Sequence, residues 1–215
     1  MAQITWKQGE HIALVGDTGT GKSYLLERLF HYRQYCIMLQ ILPDDANPFR
    51  GFRHVDSARK IDAEPTQAEA KYVLTTGSDR RVQRLEAYRT LRKVFAQGGW
   101  CLGLDELWYL SRKLRLEDET DTLLTNGRKR KISVVCGMQR PANISRFALA
   151  ECTHLFAFRC DGRDAKTLRE TFTDALKPYF DKLGEYEFVY YHRPTKTILI
   201  GNARRLAHIW GAPPK

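Results

Sequence analysis

Strand-length apolar runs and helix-like segments alternate along the chain. The apolar runs lie at 11–15, 35–42, 71–75, 100–104, 132–136 and 155–158. Between several of them, apolar residues recur every three or four positions, which is typical of helices packed on one face. Strands that alternate with helices favour a mostly parallel sheet covered on both faces. The pattern therefore predicts an α/β fold, with a mostly parallel central sheet flanked by helices.

Four segments show helical spacing, at about 25–30, 80–95, 117–130 and 164–176. The second carries an apolar repeat formed by Val82, Leu85, Tyr88, Leu91 and Phe95. Six basic residues occupy its remaining faces, and two glycines at 98–99 end it. Asp164 is expected to cap the fourth helix, because aspartate is favoured at that position.

The C-terminal part predicts a β-hairpin. Two strand-like runs, at 186–191 and 197–200, flank the turn signal Arg193-Pro194-Thr195-Lys196. Residues 43–70 contain several prolines and charges and predict loop with at most one short strand. We interpret residues 1–215 as a single domain, with a core at about 10–160 and a C-terminal helix and hairpin at 161–215.

Composition excludes some classes of protein. With 43% hydrophobic residues in 215, the chain can bury a large core, which argues against disorder. The five cysteines include no C-x-x-C pair, which predicts free thiols in a reducing compartment and no zinc site. The start of the chain lacks a secretory pattern, and the apolar runs are too short to span a bilayer. The net charge of +10 indicates either a polyanionic partner or a merely basic surface.

A glycine-rich loop follows the first apolar run and precedes the first helix. It reads Gly16, Asp17, Thr18, Gly19, Thr20, Gly21, Lys22, Ser23 and matches G-x-x-x-x-G-K-[ST]. Such a loop curls so that its N–H groups and the following helix end meet phosphate oxygens. Lys22 can reach the β- and γ-phosphates, and the Ser23 hydroxyl can ligate Mg²⁺. The sequence therefore predicts binding of a nucleoside triphosphate, ATP, with Mg²⁺.

Two carboxylates, Asp105 and Glu106, end the apolar run at 100–104. Ligands of parallel sheets bind beyond the carboxyl ends of the strands. Asp105 is then placed to hold Mg²⁺, and Glu106 to activate a water as general base. The alternative is an ordinary solvated turn, or a helix cap by Asp105.

Gln139 and Arg128 lie on either side of the apolar run at 132–136. Gln139 has the reach and the hydrogen-bonding groups to sense a γ-phosphate. Arg128 precedes the same strand and lies too far away to serve the same nucleotide. It could act on a neighbouring subunit's nucleotide as an arginine finger. The alternative is a solvated basic helix end, because residues 128–131 are all cationic.

The order of these motifs resembles the FtsK–HerA superfamily of ring-forming, DNA-pumping ATPases. The Gln139-Arg140-Pro141 ending is the most diagnostic part, and Met138 departs from the usual Thr or Ser. The short chain is similar to the genome-packaging ATPases of membrane-containing icosahedral viruses. The resemblance implies Lys22 and Ser23 on phosphate and Mg²⁺, Asp105 at the metal, Glu106 as base and Gln139 as sensor. It makes Arg128 the first finger candidate, with Arg130 and Arg140 as alternatives.

The resemblance also implies partners. They are double-stranded DNA, other copies of the chain in a ring, and a capsid vertex protein, in the host cytoplasm or at the virion. Arg112, Lys113 and Arg115 are the first DNA-contact candidates, because they follow the acidic pair closely. The basic residues at 80–93 and Arg204-Arg205 are alternatives, as is a solvated surface without DNA. A related motor for DNA export or conjugation and a P-loop small-molecule kinase remain as alternative functions.

Overall fold

The computed structural model describes residues 4–41, 49–66, 68–160 and 162–208. Within them, nine strands form one sheet in the order β3-β4-β2-β5-β6-β1-β7-β8-β9. The strands are β1 (Ile12–Val15), β2 (Tyr35–Gln40), β3 (Arg53–Val55), β4 (Ala70–Thr75), β5 (Cys101–Leu104), β6 (Ser133–Met138), β7 (His154–Phe158), β8 (Glu187–His192) and β9 (Thr197–Asn202). Residues 42–48, which include the end of the second predicted run and part of the predicted loop, lie outside the described residues.

Strands β1 to β7 pair in parallel, and β8 and β9 continue the sheet in antiparallel fashion. The predicted α/β fold and C-terminal hairpin are therefore confirmed. The hairpin extends the sheet beyond β7, because β8 pairs with β7 from His154↔His192 to Phe158↔Phe188. We call the side where β1, β5 and β6 end the carboxyl edge, and the opposite side the amino edge.

Helices cover both faces of this sheet. They are α1 (Lys22–His31), α2 (Arg80–Gln97), α3 (Glu117–Asn126), α4 (Arg146–Ala150), α5 (Gly162–Thr171) and α6 (Lys177–Phe180). Short 3₁₀ turns lie at Ala58–Lys60, Gly127–Arg130, Pro141–Asn143, Asp174–Leu176 and Ala203–His208, and a π-helical turn at Tyr109–Lys113. Among the described residues, no helix has the length and apolar character needed to cross a lipid bilayer.

The two faces of the sheet carry separate hydrophobic cores. On one face, α1 buries the four apolar residues at 25, 26, 29 and 30 against β1, and all are at most 1% exposed. On the other face, Trp100 is fully buried among residues of α2, α3 and the strands. Cys36, Cys101 and Cys136 are buried free thiols, as the apolar runs around them predict.

The predicted helix at 164–176 is wrong at both ends. It begins at Gly162, before Asp164, and ends at Thr171. Thr173 takes an extended backbone and caps a separate 3₁₀ turn, because its hydroxyl accepts from the Ala175 N–H. The Asp164 carboxylate instead accepts from the Ala142 N–H and from Arg140, 24 residues earlier along the chain. The predicted helix at 117–130 likewise changes to a 3₁₀ turn after Asn126.

Helix α2 turns a different face to the core from the one its apolar repeat suggests. Val82, Leu85 and Tyr88 are 44%, 45% and 39% exposed. The buried face carries Gln83, Glu86, Ala87, Thr90, Leu91 and Val94. Its polar members are all hydrogen-bonded: Glu86, for example, accepts from the Ser57 hydroxyl and the Ala58 N–H. These bonds offset the cost of burying polar groups, so the helix is held by polar contacts along its first half.

Candidate active site

The glycine-rich loop connects β1 to α1 at the carboxyl edge, as predicted. Gly21, the residue before the helix, has φ +102°, a left-handed conformation that favours glycine. A Cβ at Gly21 would lie 3.2 Å from the Tyr186 ring and 3.4 Å from the Ala203 methyl. Both the backbone conformation and the close packing therefore require glycine at this position.

The Lys22 ammonium closes the loop on itself. Nζ donates to the carbonyl oxygens of Gly16 and Asp17, at 2.6 and 2.8 Å. Burial lowers the pKa of Lys22, and the nearby carboxylates of Glu106, Asp105 and Asp17 oppose that shift. The amine therefore lies inside the curl of the loop, where a phosphate group would meet it.

Strand β6 lies between β1 and β5 and brings the three motifs together. The Gly16 N–H donates to the Met138 carbonyl at 3.1 Å. On the other side, a Cβ on Gly137 would overlap the carbonyl oxygen of Asp105. Glycine at 137 therefore allows Asp105 to approach β6 closely. Gln139 follows β6 and emerges between the Asp105–Glu106 pair and the glycine-rich loop.

The pKa of the Glu106 carboxyl group is raised. Burial raises its pKa to about 7, although hydrogen bonds from the backbone of Trp108 and Gln139 and the charge of Lys22 act in the opposite direction. The charge of Asp105 also raises this pKa. A carboxylate with a pKa near neutrality is well matched to general-base work. Lys22, Glu106 and Gln139 thus meet at one place, as the motif order predicts.

The residues predicted to hold Mg²⁺ fit that ion. Ser23 lies in the first turn of α1, directly after Lys22. The Asp105 carboxylate is near enough to act electrostatically on both Lys22 and Glu106. A hydroxyl and a carboxylate are the hard oxygen donors that Mg²⁺ takes when it also binds substrate phosphates.

Arg128 lies at the amino edge, at the opposite end of β6 from Gln139. It belongs to the 3₁₀ turn Gly127–Arg130, and its guanidinium donates to the Thr153 hydroxyl at 3.1 Å. The six residues of β6 span about 20 Å. Arg128 and Gln139 therefore cannot contact one phosphate group, as the sequence predicts.

The two alternative finger residues lie in different places. Arg130 is at the amino edge, where it donates to the Ala96 carbonyl at 2.6 Å and stacks on Phe95. Arg140 is at the carboxyl edge beside its own glycine-rich loop, 3.2 Å from Asp164 and 4.0 Å from Asp17. Sequence reasoning did not find the link from Asp17 through Arg140 to Asp164, because no local pattern joins residues so far apart.

The C-terminal hairpin also packs against the glycine-rich loop, a contact that the sequence did not predict. Tyr186 packs against Gly21, and the Arg204 guanidinium lies 3.7 Å from the centre of the Tyr186 ring. Tyr186 has φ +59°, which is unusual for a bulky residue. Arg204, predicted as an alternative DNA contact, thus lies next to the nucleotide loop.

The basic residues after the acidic pair lie on the π-helical turn Tyr109–Lys113 and just beyond it. Arg112, Lys113 and Arg115 are exposed, and Arg112 pairs with Glu117 at 3.0 Å. Arg84 of α2 donates to the Leu114 carbonyl at 3.0 Å and so ties this segment to the helix. We call residues 109–115 the basic turn. π-Helical turns occur frequently at functional sites.

Comparison with curated proteins finds similarity to a phage protein. The chain is 26% identical, over 166 residues, to the DNA packaging ATPase P9 of Enterobacteria phage PRD1, which covers 74% of this chain and 69% of the relative. The predicted resemblance to viral packaging ATPases is confirmed. No family model matches.

Solved structures agree with this result at the level of the fold. The genome packaging NTPase B204 of Sulfolobus turreted icosahedral virus 2, in complex with AMPPCP, superposes with a TM-score of 0.71 at 17% identity, over 91% of this chain and 98% of that one. VirB4 of Thermoanaerobacter pseudethanolicus gives a TM-score of 0.64 at 8% identity, over 95% and 90%. The sheet and its flanking helices therefore form the fold of packaging NTPases.

Proposed function

We propose that this protein is an ATP-hydrolysing motor that moves double-stranded DNA into a viral capsid. The observation that carries the proposal is the meeting of Lys22, Glu106 and Gln139 at the carboxyl edge. That constellation supplies a phosphate ligand, a base near neutral pKa and a polar sensor in one site. The relation to a phage protein named as a DNA packaging ATPase supports the choice of DNA packaging as the work performed.

Each residue has a role in this proposal. The loop Gly16–Ser23 and the Lys22 ammonium bind the triphosphate, and Ser23 and Asp105 hold Mg²⁺, which neutralises charge on the phosphates. Glu106 accepts a proton from the attacking water. Gln139 contacts the γ-phosphate and registers its loss. The link from Arg140 to Asp17 supports the loop from the side.

A ring of identical subunits completes the site. Arg128 faces away from its own nucleotide, so its proposed role as arginine finger requires an adjacent copy of the chain. In that arrangement each nucleotide lies between the loop of one subunit and the amino edge of the next. In this proposal the ring binds a capsid vertex protein. It acts at the virion or in the host cytoplasm.

DNA is gripped in this proposal by the basic turn. The Glu106 carbonyl accepts a hydrogen bond from the N–H of Leu110, a residue of the basic turn, at 3.3 Å. A shift of the acidic pair on hydrolysis would therefore move the arginines and lysine that follow it. Cations on phosphates give affinity that does not depend on base sequence.

The test is ATPase activity with and without long double-stranded DNA. We expect DNA to stimulate phosphate release by the wild-type protein. We expect Lys22→Ala to bind a fluorescent ATP analogue weakly and to release no phosphate. Lys182→Ala, at an exposed lysine two residues after the end of α6, is the matched control and should behave as wild type. Turnover that ignores DNA but follows a small phosphate acceptor would instead support the kinase alternative.

A further inference from the structure

Glu10, His154 and His192 form a cluster at the amino edge. The glycine-rich loop lies at the other ends of the strands, at the carboxyl edge. One donor atom of each residue lies within 4.8 Å of the others. His154 and His192 face each other across β7 and β8, and Glu10 lies just before β1. His154 Nε2 is 3.0 Å from a carboxylate oxygen of Glu10. The proposed ATPase chemistry uses none of these residues.

Each histidine is held by its other ring nitrogen. His154 Nδ1 is 2.9 Å from the Tyr190 hydroxyl, and His192 Nδ1 is 2.8 Å from the Thr195 hydroxyl. Both rings therefore present Nε2 to the cluster. Metal-binding histidines are oriented in this way, by a hydrogen bond at the nitrogen that does not ligate.

The Nε2 atom of His192 is buried without a hydrogen-bond partner among the described residues. A buried polar atom without a partner costs free energy, so such an atom points to a missing ligand. His154 is fully buried, and the Glu10 side chain is 19% exposed. The cluster is thus buried at His154 and partly open to solvent at Glu10 and His192.

We infer that Glu10, His154 and His192 bind a divalent cation of borderline softness, of which Zn²⁺ is the best fit. Two imidazoles and one carboxylate are an established donor set for Zn²⁺, with the fourth position open to water. The set holds one negative charge, which balances part of the charge of the ion. Lys7 contributes its backbone N–H to Glu10 at 2.8 Å, which leaves carboxylate lone pairs for the metal.

Binding requires a small rearrangement. The two rings stack with centroids 4.7 Å apart, and tetrahedral zinc donors lie on the order of 3.4 Å from each other. The rings must therefore turn until both Nε2 atoms point at one place. On His154, Nε2 exchanges its contact with Glu10 for the metal, while Nδ1 keeps its contact with the Tyr190 hydroxyl.

The proposed metal would join the segment before β1 to the β7–β8 pair. It would hold these segments together at the amino edge through three protein donors and one water, and it would take no part in ATP hydrolysis. Binding should therefore stabilise the folded protein, because a ligand that binds only the folded state shifts the equilibrium towards it.

The test uses untagged full-length protein, stripped with a chelator. We expect calorimetric titration with Zn²⁺ to give one ion per chain, and Co²⁺ to give the visible absorption of a tetrahedral site. We expect Zn²⁺ to raise the Tm by several degrees. His192→Ala, at the less buried end of the cluster, should weaken binding at least tenfold, in line with the loss of a ligand. His54→Ala, on β3, is the matched control and should bind as wild type.

Glu10→Gln provides a second variant that keeps the size of the side chain. It should fold, as judged by circular dichroism, and should also lose affinity. Two results would overturn the inference. One is the absence of one-to-one binding to the wild-type protein. The other is unchanged Zn²⁺ affinity in both His192→Ala and Glu10→Gln.

Discussion

Glu106 is only partly ionised at neutral pH, because burial raises its pKa to about 7. Replacement by glutamine keeps the size of the side chain and removes the proton acceptor. We expect Glu106→Gln to bind ATP as tightly as wild type and to lose at least a hundredfold in kcat, the lower end of typical general-base contributions. Single-turnover phosphate release, with binding measured separately, checks this. A variant with a raised KM and an unchanged kcat would remove Glu106 from the role of base.

The same pKa sets a pH dependence of stability and activity. The ordinary value for the unfolded chain is 4.5, so the folded protein holds this proton more tightly between pH 4.5 and about 7. Its contribution to stability is full below pH 4.5 and is lost as pH rises through about 7. We expect kcat/KM to rise as the pH increases through about 7, because Glu106 must be ionised to act as a base. At pH 8, Glu106→Gln should melt a few degrees above wild type.

At the scale of elements, α2 is informative because its apolar repeat and its buried face differ. Leu85 is 45% exposed and Leu91 is 1% exposed. We expect Leu91→Ala to cost about 2–5 kcal/mol in the free energy of unfolding, and Leu85→Ala less than about 1 kcal/mol. Urea unfolding of the two variants measures both. Equal losses would mean that the helix is rotated from its position in the structure.

The basic turn is the second element with a testable role. Replacing both Arg112 and Lys113 by alanine removes two exposed cations. We expect weaker binding to double-stranded DNA, and a slope of log affinity against log salt that falls by up to about 2. The matched control replaces Lys177 and Lys182, two exposed lysines around α6, and should leave the slope unchanged. An unchanged slope in the Arg112/Lys113 variant would contradict this role. The basic residues of α2 or Arg205 would then be the favoured DNA contacts.

At the scale of the whole molecule, the decisive prediction concerns the ring. Arg128 and Gln139 lie at opposite edges of the sheet, so if both act on ATP, a second subunit supplies one of the two groups to each nucleotide. We expect Arg128→Ala subunits to bind ATP but hydrolyse it poorly, by a factor of 10³ or more for a finger that enters the transition state. Mixed with Lys22→Ala subunits, they should regain part of the activity, because some interfaces then combine an intact loop with an intact Arg128.

Mixed rings, verified by mass measurement, that stay as inactive as both parents would exclude Arg128 as the finger. Arg130 would then be the next residue to replace, because it shares the amino edge with Arg128. Arg140 lies beside its own glycine-rich loop and fits a role within one subunit.

The pattern of apolar residues along the chain was sufficient to predict the sheet and to place the motifs at the ends of its strands. Strand-length apolar runs predicted β1, β2, β4, β5, β6 and β7, because burial of a parallel strand on both faces requires near-continuous apolar residues. The motifs that follow β1, β5 and β6 could be placed at one edge for a similar reason. All parallel strands end on the same side, so Lys22, Glu106 and Gln139 had to converge.

Tertiary structure alone decided the features that join distant parts of the chain. The raised pKa of Glu106 depends on burial, and the Asp17–Arg140–Asp164 link spans three separate segments. The buried face of α2 is polar because partners such as Ser57 and Gly77 come from other elements. Cysteine spacing predicted no zinc site, yet residues 10, 154 and 192 meet at the amino edge. Sequence periodicity reports only neighbours within one element, whereas these contacts exist only after β1, β7 and β8 have paired.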